Sequence, residues 1–329
     1  MLPLVSVIVT TYNQGPYIES TLQSVFEQTY RRYELIVVDD GSTDDTPDRV
    51  AVFASRLEYI RQPNQGVAGA RNTGVARAKG ELLAFLDGDD LWEPEKLEAQ
   101  VEAARRHPAS GLVVTDGVQF DNGTILRDTL IGERLRLLLE GQPEGTGPCY
   151  RAFLLGNLIA TMSQVMVPRG ALEAVGRSDI RLPIASDWDL YLRISAHHDV
   201  TILNRQLVRW RYLSSSASGP QDLRPLRWGA DAIAILQKHL ALAPAGYHPL
   251  IRAELRRRVT DTAHAAFHVG RTVDRRMGQR YLLRLVLRNP LSLTAPLLLV
   301  VLCLPHALTR RVRRATRWLW LWLSPEQRG

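Results

Sequence analysis

Leu82-Leu83-Ala84-Phe85-Leu86-Asp87-Gly88-Asp89-Asp90 is the stretch on which the reading of this chain turns. Its five leading apolar residues show no polar alternation, which suits a strand covered on both faces rather than one with a wet side. Three carboxylates then fall within four positions. At a strand end they repel one another unless a cation or solvent relieves them. A hard divalent ion takes one or two such groups and completes its shell with water and phosphate oxygens. The plainer alternative is a solvated turn leading into a helix that starts near Pro94.

Working outward, residues 4–10, 34–39, 57–61 and 111–115 read as further strands. Ile18, Leu22, Val25 and Phe26 recur at helical spacing, as do Leu97, Val101 and Ala104. Strands alternating with helices predict an α/β fold with a mostly parallel, Rossmann-like sheet flanked by helices. Ligands of such sheets bind beyond the carboxyl ends of the strands. The polar clusters at residues 10–13, 39–43 and 87–90 all fall there.

Asp39-Asp40-Gly41-Ser42-Thr43 suits a tight turn and helix cap, since its side chains can satisfy free backbone N–H groups. It also offers Asp40 as an acceptor for a nucleobase N–H. Gly66-Val67-Ala68-Gly69-Ala70-Arg71-Asn72-Thr73-Gly74 reads as a glycine-rich segment preceding a helix. Its spacing is neither a P-loop nor G-x-G-x-x-G, which argues against an ATPase or a dinucleotide enzyme. Arg71 is placed to meet a phosphate.

Four segments occur in order: Ser6-Val7-Ile8-Val9-Thr10-Thr11-Tyr12-Asn13, Val37-Val38-Asp39-Asp40-Gly41-Ser42-Thr43-Asp44, Gly69-Ala70-Arg71-Asn72-Thr73-Gly74 and Phe85-Leu86-Asp87-Gly88-Asp89-Asp90. Together they resemble the inverting family 2 glycosyltransferases of GT-A fold over about the first hundred residues, and more loosely to about residue 218. The resemblance implies that Thr10, Tyr12 and Asp40 hold the nucleoside of a nucleotide-sugar donor, a UDP-sugar by the family's lean. It implies that Arg71 and Asn72 line the donor pocket. Asp87 would lie near the ribose or metal, and Asp89 would ligate Mn2+ or Mg2+. In Ala185-Ser186-Asp187-Trp188-Asp189-Leu190, Asp187 matches the general base, while Ser186 stands where the family has glutamate. The alternative is that Asp187 merely caps its helix. Two further departures are Leu213, two residues after Arg211, where the family often carries histidine, and Val175-Gly176-Arg177-Ser178 in place of a glycine-glycine-phenylalanine turn.

The chain has 329 residues, 45% of them hydrophobic, enough for one large domain and an appendage. The apolar N-terminus reads as a buried strand and not a signal peptide. Cys149 and Cys303 give neither a disulfide framework nor metal-ligand spacing, which leaves a cytoplasmic setting as the default. The net charge of +7 hides an asymmetry. Residues 1–251 hold 25 Lys/Arg against 30 Asp/Glu, whereas residues 252–329 hold 16 Arg against 4 acids. The expected organisation is a nucleotide-sugar half at 1–115, an acceptor and base half at 116–220, and a helical, arginine-rich tail at 221–329. Residues 116–148 show weak patterning and residues 214–220 are rich in serine.

Within the tail, apolar residues 291–304 are too short and too interrupted by proline for a spanning helix. Arg310, Arg311, Arg313, Arg314 and Arg317 precede Trp318-Leu319-Trp320-Leu321-Trp322-Leu323. That pattern suits residues 291–323 lying in the cytoplasmic face of a membrane. A helical hairpin packed on the catalytic domain or on a second subunit is the competing expectation. Nucleic acid is not expected, since a phosphate backbone offers nothing to a leucine stripe. His264 and His268 are spaced i,i+4 but lack a third ligand.

The function expected is transfer of a sugar to a hydroxyl of a saccharide or lipid-linked acceptor, in cell-surface polysaccharide or glycolipid synthesis. The rivals are a membrane-associated binding or scaffold protein with little turnover, and a sugar nucleotidyltransferase. The last should carry a basic glycine-rich loop after its first strand, where this chain has Thr10-Thr11-Tyr12-Asn13.

Overall fold

The structure is a computed structural model that describes residues 2–121, 123–213, 223–288 and 294–303. It divides into two compact units, Met1–Leu213 and Ser214–Gly329.

The first unit begins with β1 (Val5–Thr11), α1 (Gly15–Phe26), β2 (Tyr33–Asp39), α2 (Thr46–Ala51), β3 (Glu58–Arg61), α3 (Gly66–Arg77) and β4 (Leu82–Asp87). It continues through β5 (Leu91–Trp92), α4 (Lys96–Arg106), β6 (Ser110–Asp121), β7 (Thr124–Arg127), α5 (Glu133–Arg136), β8 (Glu144–Gly147) and α6 (Tyr150–Leu154). β9 (Val165–Pro168), α7 (Arg169–Val175), α8 (Ser186–Ser195) and β10 (Asp199–Arg211) complete it. The strands form one sheet in the order β3-β2-β1-β4-β9-β6-β10-β5, with β7 paired to β6 and β8 to β10.

Each expected strand is present within a few residues of its expected bounds, and every residue of β1 is buried. The α/β fold expected from the sequence is the fold observed. The sheet is parallel from β3 to β4 and again between β6 and β10. β9 runs antiparallel to both β4 and β6 and joins the two halves. At four residues, β9 is too short to declare itself by pattern. β6 runs through positions 115 and 116 without a break, so the two halves of the unit share one sheet.

Two expectations change. The glycine-rich segment does not precede a helix but lies inside α3, which starts at Gly66 with φ of +78°. Its small residues serve packing: a Cβ on Gly74 would lie 2.3 Å from Ile8 Cγ2, so glycine lets α3 settle on β1. The weakly patterned 116–148 region is largely ordered into β6, β7, α5 and β8, with β8 antiparallel to β10.

The described part of the second unit consists of α9 (Arg224–Leu242), α10 (His248–Thr272), α11 (Arg275–Arg288) and α12 (Thr294–Cys303), apart from a short turn at Ala245–Tyr247. Leu226, Ile233, Val259, Phe267, Leu282 and Leu298 belong to its own apolar core. α10 and α11 approach closely where a Cβ on Gly278 would meet Gly270 Cα at 2.4 Å. No helix of the described residues is long and apolar enough to cross a membrane. Residues 214–220, and the arginine and tryptophan clusters at 310–323, lie outside the described residues.

One core residue of the first unit opposes its surroundings. Lys96 is fully buried, its Nζ has no hydrogen-bond partner, and it sits 3.6 Å from the centre of the Trp92 ring. Burial pushes its pKa well below the ordinary lysine value. The unfolded chain protonates this amine below about pH 10.4, so its burial costs stability that grows as pH falls from that value. Lys96→Met keeps the stem and removes the amine. In urea unfolding at pH 7 the variant should gain about 1–2 kcal/mol, and the gain should shrink toward pH 10. A loss of stability at pH 7 would show that the Trp92 contact outweighs the desolvation.

Candidate active site

The polar loops meet at the carboxyl ends of β1, β2 and β4. In the sheet register Thr10 lies beside Asp87 and Thr11 beside Asp39. Asn13 bridges the first two loops: its N–H donates to Ser42 Oγ at 2.9 Å, and its Oδ1 accepts from Thr43 N at 2.7 Å. Its φ of +52° is uncommon for a residue other than glycine and is held in place by these two bonds.

Asp40 is buried, and its Oδ1 accepts from Gln62 Nε2 at 2.7 Å and from Gln65 N at 2.9 Å. The carboxylate thereby ties the end of β2 to the start of α3. Tyr12, just after β1, is exposed. Thr10 is buried and its Oγ1 faces Asp87 Oδ1 at 3.4 Å.

The three carboxylates that end β4 have different surroundings. Asp87 Oδ1 takes a 2.7 Å charge-assisted bond from Arg71 Nη2, and its Oδ2 takes one of 3.2 Å from Thr161 Oγ1. Asp90 is fully buried and accepts from Ser163 Oγ at 2.6 Å and from Arg211 N at 3.0 Å. Burial first, then Asp89 and Asp87, push its pKa well above the carboxylate range. Asp90 therefore pins the Thr161–Ser163 turn and the end of β10 to the site. Asp89 lies between them, and burial together with Asp87 raises its pKa to about 7. The Arg211 guanidinium and the Gln14 side chain partly oppose that rise. Gly88 must be glycine here, because a Cβ would lie 2.4 Å from Gln14 Oε1 and 2.9 Å from Thr11 Cβ.

Arg71, on α3, is buried. Burial opposes its charge, but Asp87, with a smaller contribution from Asp187, holds its pKa above the ordinary value. Asp187 opens α8. Its Oδ1 accepts from Trp188 N at 2.7 Å and its Oδ2 from Asn157 Nδ2 at 3.2 Å. Burial raises the Asp187 pKa, Arg71 pulls it down, and Asp87 adds a smaller upward push. Mutual fields of this kind set Asp87, Arg71 and Asp187 near one another. Tyr191, one turn along α8, is buried within the same fields.

Asn72 turns elsewhere. Its Nδ2 donates to Ser178 O at 2.9 Å and its Oδ1 accepts from Ser178 N at 3.0 Å, so its amide anchors the segment before α8. It also borders a neighbouring open cavity of about 740 Å³, lined by Tyr59, Arg61, Gln65, Arg177 and Ile180 among others. Gly69, Thr73 and Arg177 line it too, whereas Thr10, Tyr12, Asp40, Arg71, Asp87, Asp89 and Asp187 do not. Among the described residues no cluster of three metal-capable side chains forms, at His264 and His268 or elsewhere.

Thr161, Ser163, Asn157, Gln14 and Tyr191 complete the site without having been legible as site residues. One signal was present: Thr161-Met162-Ser163-Gln164 has the spacing of a capping box. The structure forms that box, which fixes the two hydroxyls facing Asp87 and Asp90. In the sequence Arg211 serves only to locate Leu213; in the structure it is itself part of the site. Its Nε donates to Asp89 O at 2.9 Å, and its guanidinium lies 4.7 Å from the Tyr17 ring centre and 4.6 Å from that of Phe120.

Residues 6–157 match the profile of glycosyl transferase family 2. A putative teichuronic acid biosynthesis glycosyltransferase of Bacillus subtilis, TuaG, is 46% identical over 129 residues, 36% of this chain and 51% of that protein. An uncharacterized glycosyltransferase of Nostoc is 40% identical over 113 residues, 33% of this chain and 35% of the relative. The matched segments thus span about half or less of these relatives. Among solved structures, S. aureus TarS 1-349 in complex with UDP-GlcNAc superposes with a TM-score of 0.63 at 18% identity, covering 86% of this chain and 80% of that one. The mannosyltransferase PcManGT of Pyrobaculum calidifontis, in complex with GDP-Man and Mn2+, gives 0.55 at 20% identity over 95% and 87%. These likenesses establish the fold, and over residues 6–157 the chain is similar to glycosyl transferase family 2.

Proposed function

We propose that this chain is an inverting, metal-dependent glycosyltransferase of the hexosyl or a related class, moving a sugar from a nucleoside-diphosphate sugar, UDP-linked by preference, to a hydroxyl of a saccharide or lipid-linked acceptor. The observation that carries this reading is the gathering of Asp87, Arg71 and Asp187 within one another's fields, with Asp89 beside Asp87. The setting is cell-surface polysaccharide or glycolipid synthesis on the cytoplasmic face of a membrane, a proposal that the names of relatives such as TuaG support.

A nucleoside would lie across the ends of β1 and β2, with its base near Tyr12 and Asp40. Asp89, with Asp87 beside it, suits Mn2+ or Mg2+. The available donors there are oxygens, and a cation would offset the burial and the neighbouring Asp87 charge that lift the Asp89 pKa to about 7. Gln14 Oε1, close to Gly88, is buried without a hydrogen-bond partner and adds a further oxygen. When bound, such an ion supplies charge neutralisation for a departing diphosphate. Arg71 holds Asp87 in place and keeps a buried positive charge beside the donor site. Asp187 takes the proton of the acceptor hydroxyl as that oxygen attacks the anomeric carbon from the face opposite the leaving group. Trp188 N and Asn157 Nδ2 orient its carboxylate for that role.

Replacing Asp187 by Asn should lower release of nucleoside diphosphate from the preferred nucleotide sugar about a thousandfold. UDP binding measured by calorimetry should stay nearly unchanged, and substantial turnover in the variant would remove Asp187 as the base. Because burial raises the Asp187 pKa and the base must be ionised, the wild-type rate should fall as pH drops through a value above the ordinary carboxylate range. A flat acidic limb down to pH 4 would contradict this. Asp89→Ala should abolish the Mn2+-dependent part of UDP binding, and calorimetric binding that stays the same with and without the mutation would exclude the metal role. A thermal-shift screen of nucleotide sugars selects the donor for these measurements. A scaffold that had lost turnover would bind its donor in that screen yet release no nucleoside diphosphate.

A further inference from the structure

We infer that the exposed face shared by α11 and α12 is a docking surface for an anionic phospholipid bilayer. This deepens the membrane setting proposed above and rests on it, but it assigns the contact to residues 276–287 of α11 and 297–300 of α12 rather than to the sequence beyond 303.

α11 is amphipathic. Leu282 and Leu285 enter the core of the second unit, while Arg276, Arg280, Leu283, Arg284 and Leu287 stay exposed. At 276, 280, 283, 284 and 287 these residues recur every three or four positions and make one stripe. Leu283 is 49% exposed and Leu287 73%. On α12, Leu297 is 40% exposed and Val300 59%, with Leu298 and Ala295 turned into the core. Gln279 Nε2 donates to Cys303 Sγ at 3.6 Å, which brings the beginning of α11 to the end of α12. The helices therefore run antiparallel.

Apolar residues this exposed need a partner, and the charge around them selects which. Among the described residues Arg276 and Arg280 form no ion pair, and Arg284 meets only the Tyr281 ring, 5.8 Å from its centre. By contrast, Arg257 and Arg258 on α10 are both paired to Glu254. α11 contains no acid at all. Unpaired guanidinium groups alternating with leucine suit a surface that is anionic at headgroup depth and apolar just beneath. A second copy meeting this face through its own would set arginine against arginine.

The experiment is co-sedimentation of the full chain with vesicles of phosphatidylcholine, alone or mixed with phosphatidylglycerol. Wild type should bind the anionic vesicles and leave the neutral ones. Arg276→Glu/Arg280→Glu/Arg284→Glu should weaken that binding on the order of a hundredfold, with the thermal unfolding midpoint unchanged because all three side chains are exposed. Leu283→Ser/Leu287→Ser should weaken it as well and reduce its resistance to salt. If both variants bind like wild type while Trp318→Ser/Trp320→Ser/Trp322→Ser abolishes binding, this face is not the contact, although the membrane setting survives. If wild type ignores anionic vesicles, both fail. If the leucine variant turns an oligomer into a monomer in light scattering and leaves vesicle binding intact, the face belongs to a protein partner and the inference is overturned.

Discussion

Charge repulsion among Asp87, Asp89 and Asp90 is the constraint around which the first unit is organised. Three carboxylates cannot share the end of one strand in a dry interior without partners. Asp87 receives a buried guanidinium from α3, and Asp90 receives a hydroxyl from the turn before β9 and a backbone N–H from the end of β10. Each solution recruits a different part of the chain, so satisfying the acids also draws α3, the turn before β9 and the end of β10 together. Asp89 receives the Gln14 side chain and the field of Arg211, yet burial together with Asp87 still raises its pKa.

Periodicity and local chemistry decided which parts of the molecule were legible in the sequence. β1, β2 and β4 are short apolar runs buried on both sides, and their polar ends mark the rim because a parallel sheet directs its loops there. β9 was illegible because a four-residue strand has no period to detect, yet it sets Thr161 and Ser163 beside Asp87 and Asp90. Arg71 was visible only as a cation near glycines. Its pairing with Asp87 spans 16 positions and depends on α3 lying close against β1, which Gly74 permits. Asn72, its neighbour, was expected at the donor, but a helix turns adjacent residues by about 100°. One faces the acids while the next holds Ser178.

The two halves of the site differ in how they are held. The rim at the ends of β1 and β2 is fixed largely by bonds between loops: Asn13 to Ser42 and Thr43, and Asp40 to Gln62 and Gln65. The Asp187 side is reached through a longer chain of contacts, in which Asn72 anchors Ser178 and Arg193 binds the carbonyls of Val175, Gly176 and Arg177. Arg193 is itself fixed to Asp189 on α8 at 2.8 Å. The beginning of the segment that leads into Asp187 is thus tied to both α3 and α8. Any movement of α3 against the sheet would move Arg71 and that segment together.

This also bears on Ser186, which stands where a glutamate is usual, and on Leu213, at a position where histidine is common. Ser186 is buried, and Asp187 takes its two hydrogen bonds from Trp188 N and Asn157 Nδ2, neither of which involves the side chain at 186. The carboxylate is therefore held by groups that the substitution leaves in place. At the other position, Arg211 is clamped at Asp89 O and flanked by Tyr17 and Phe120, which sets a fixed positive charge beside Asp89 two residues before Leu213.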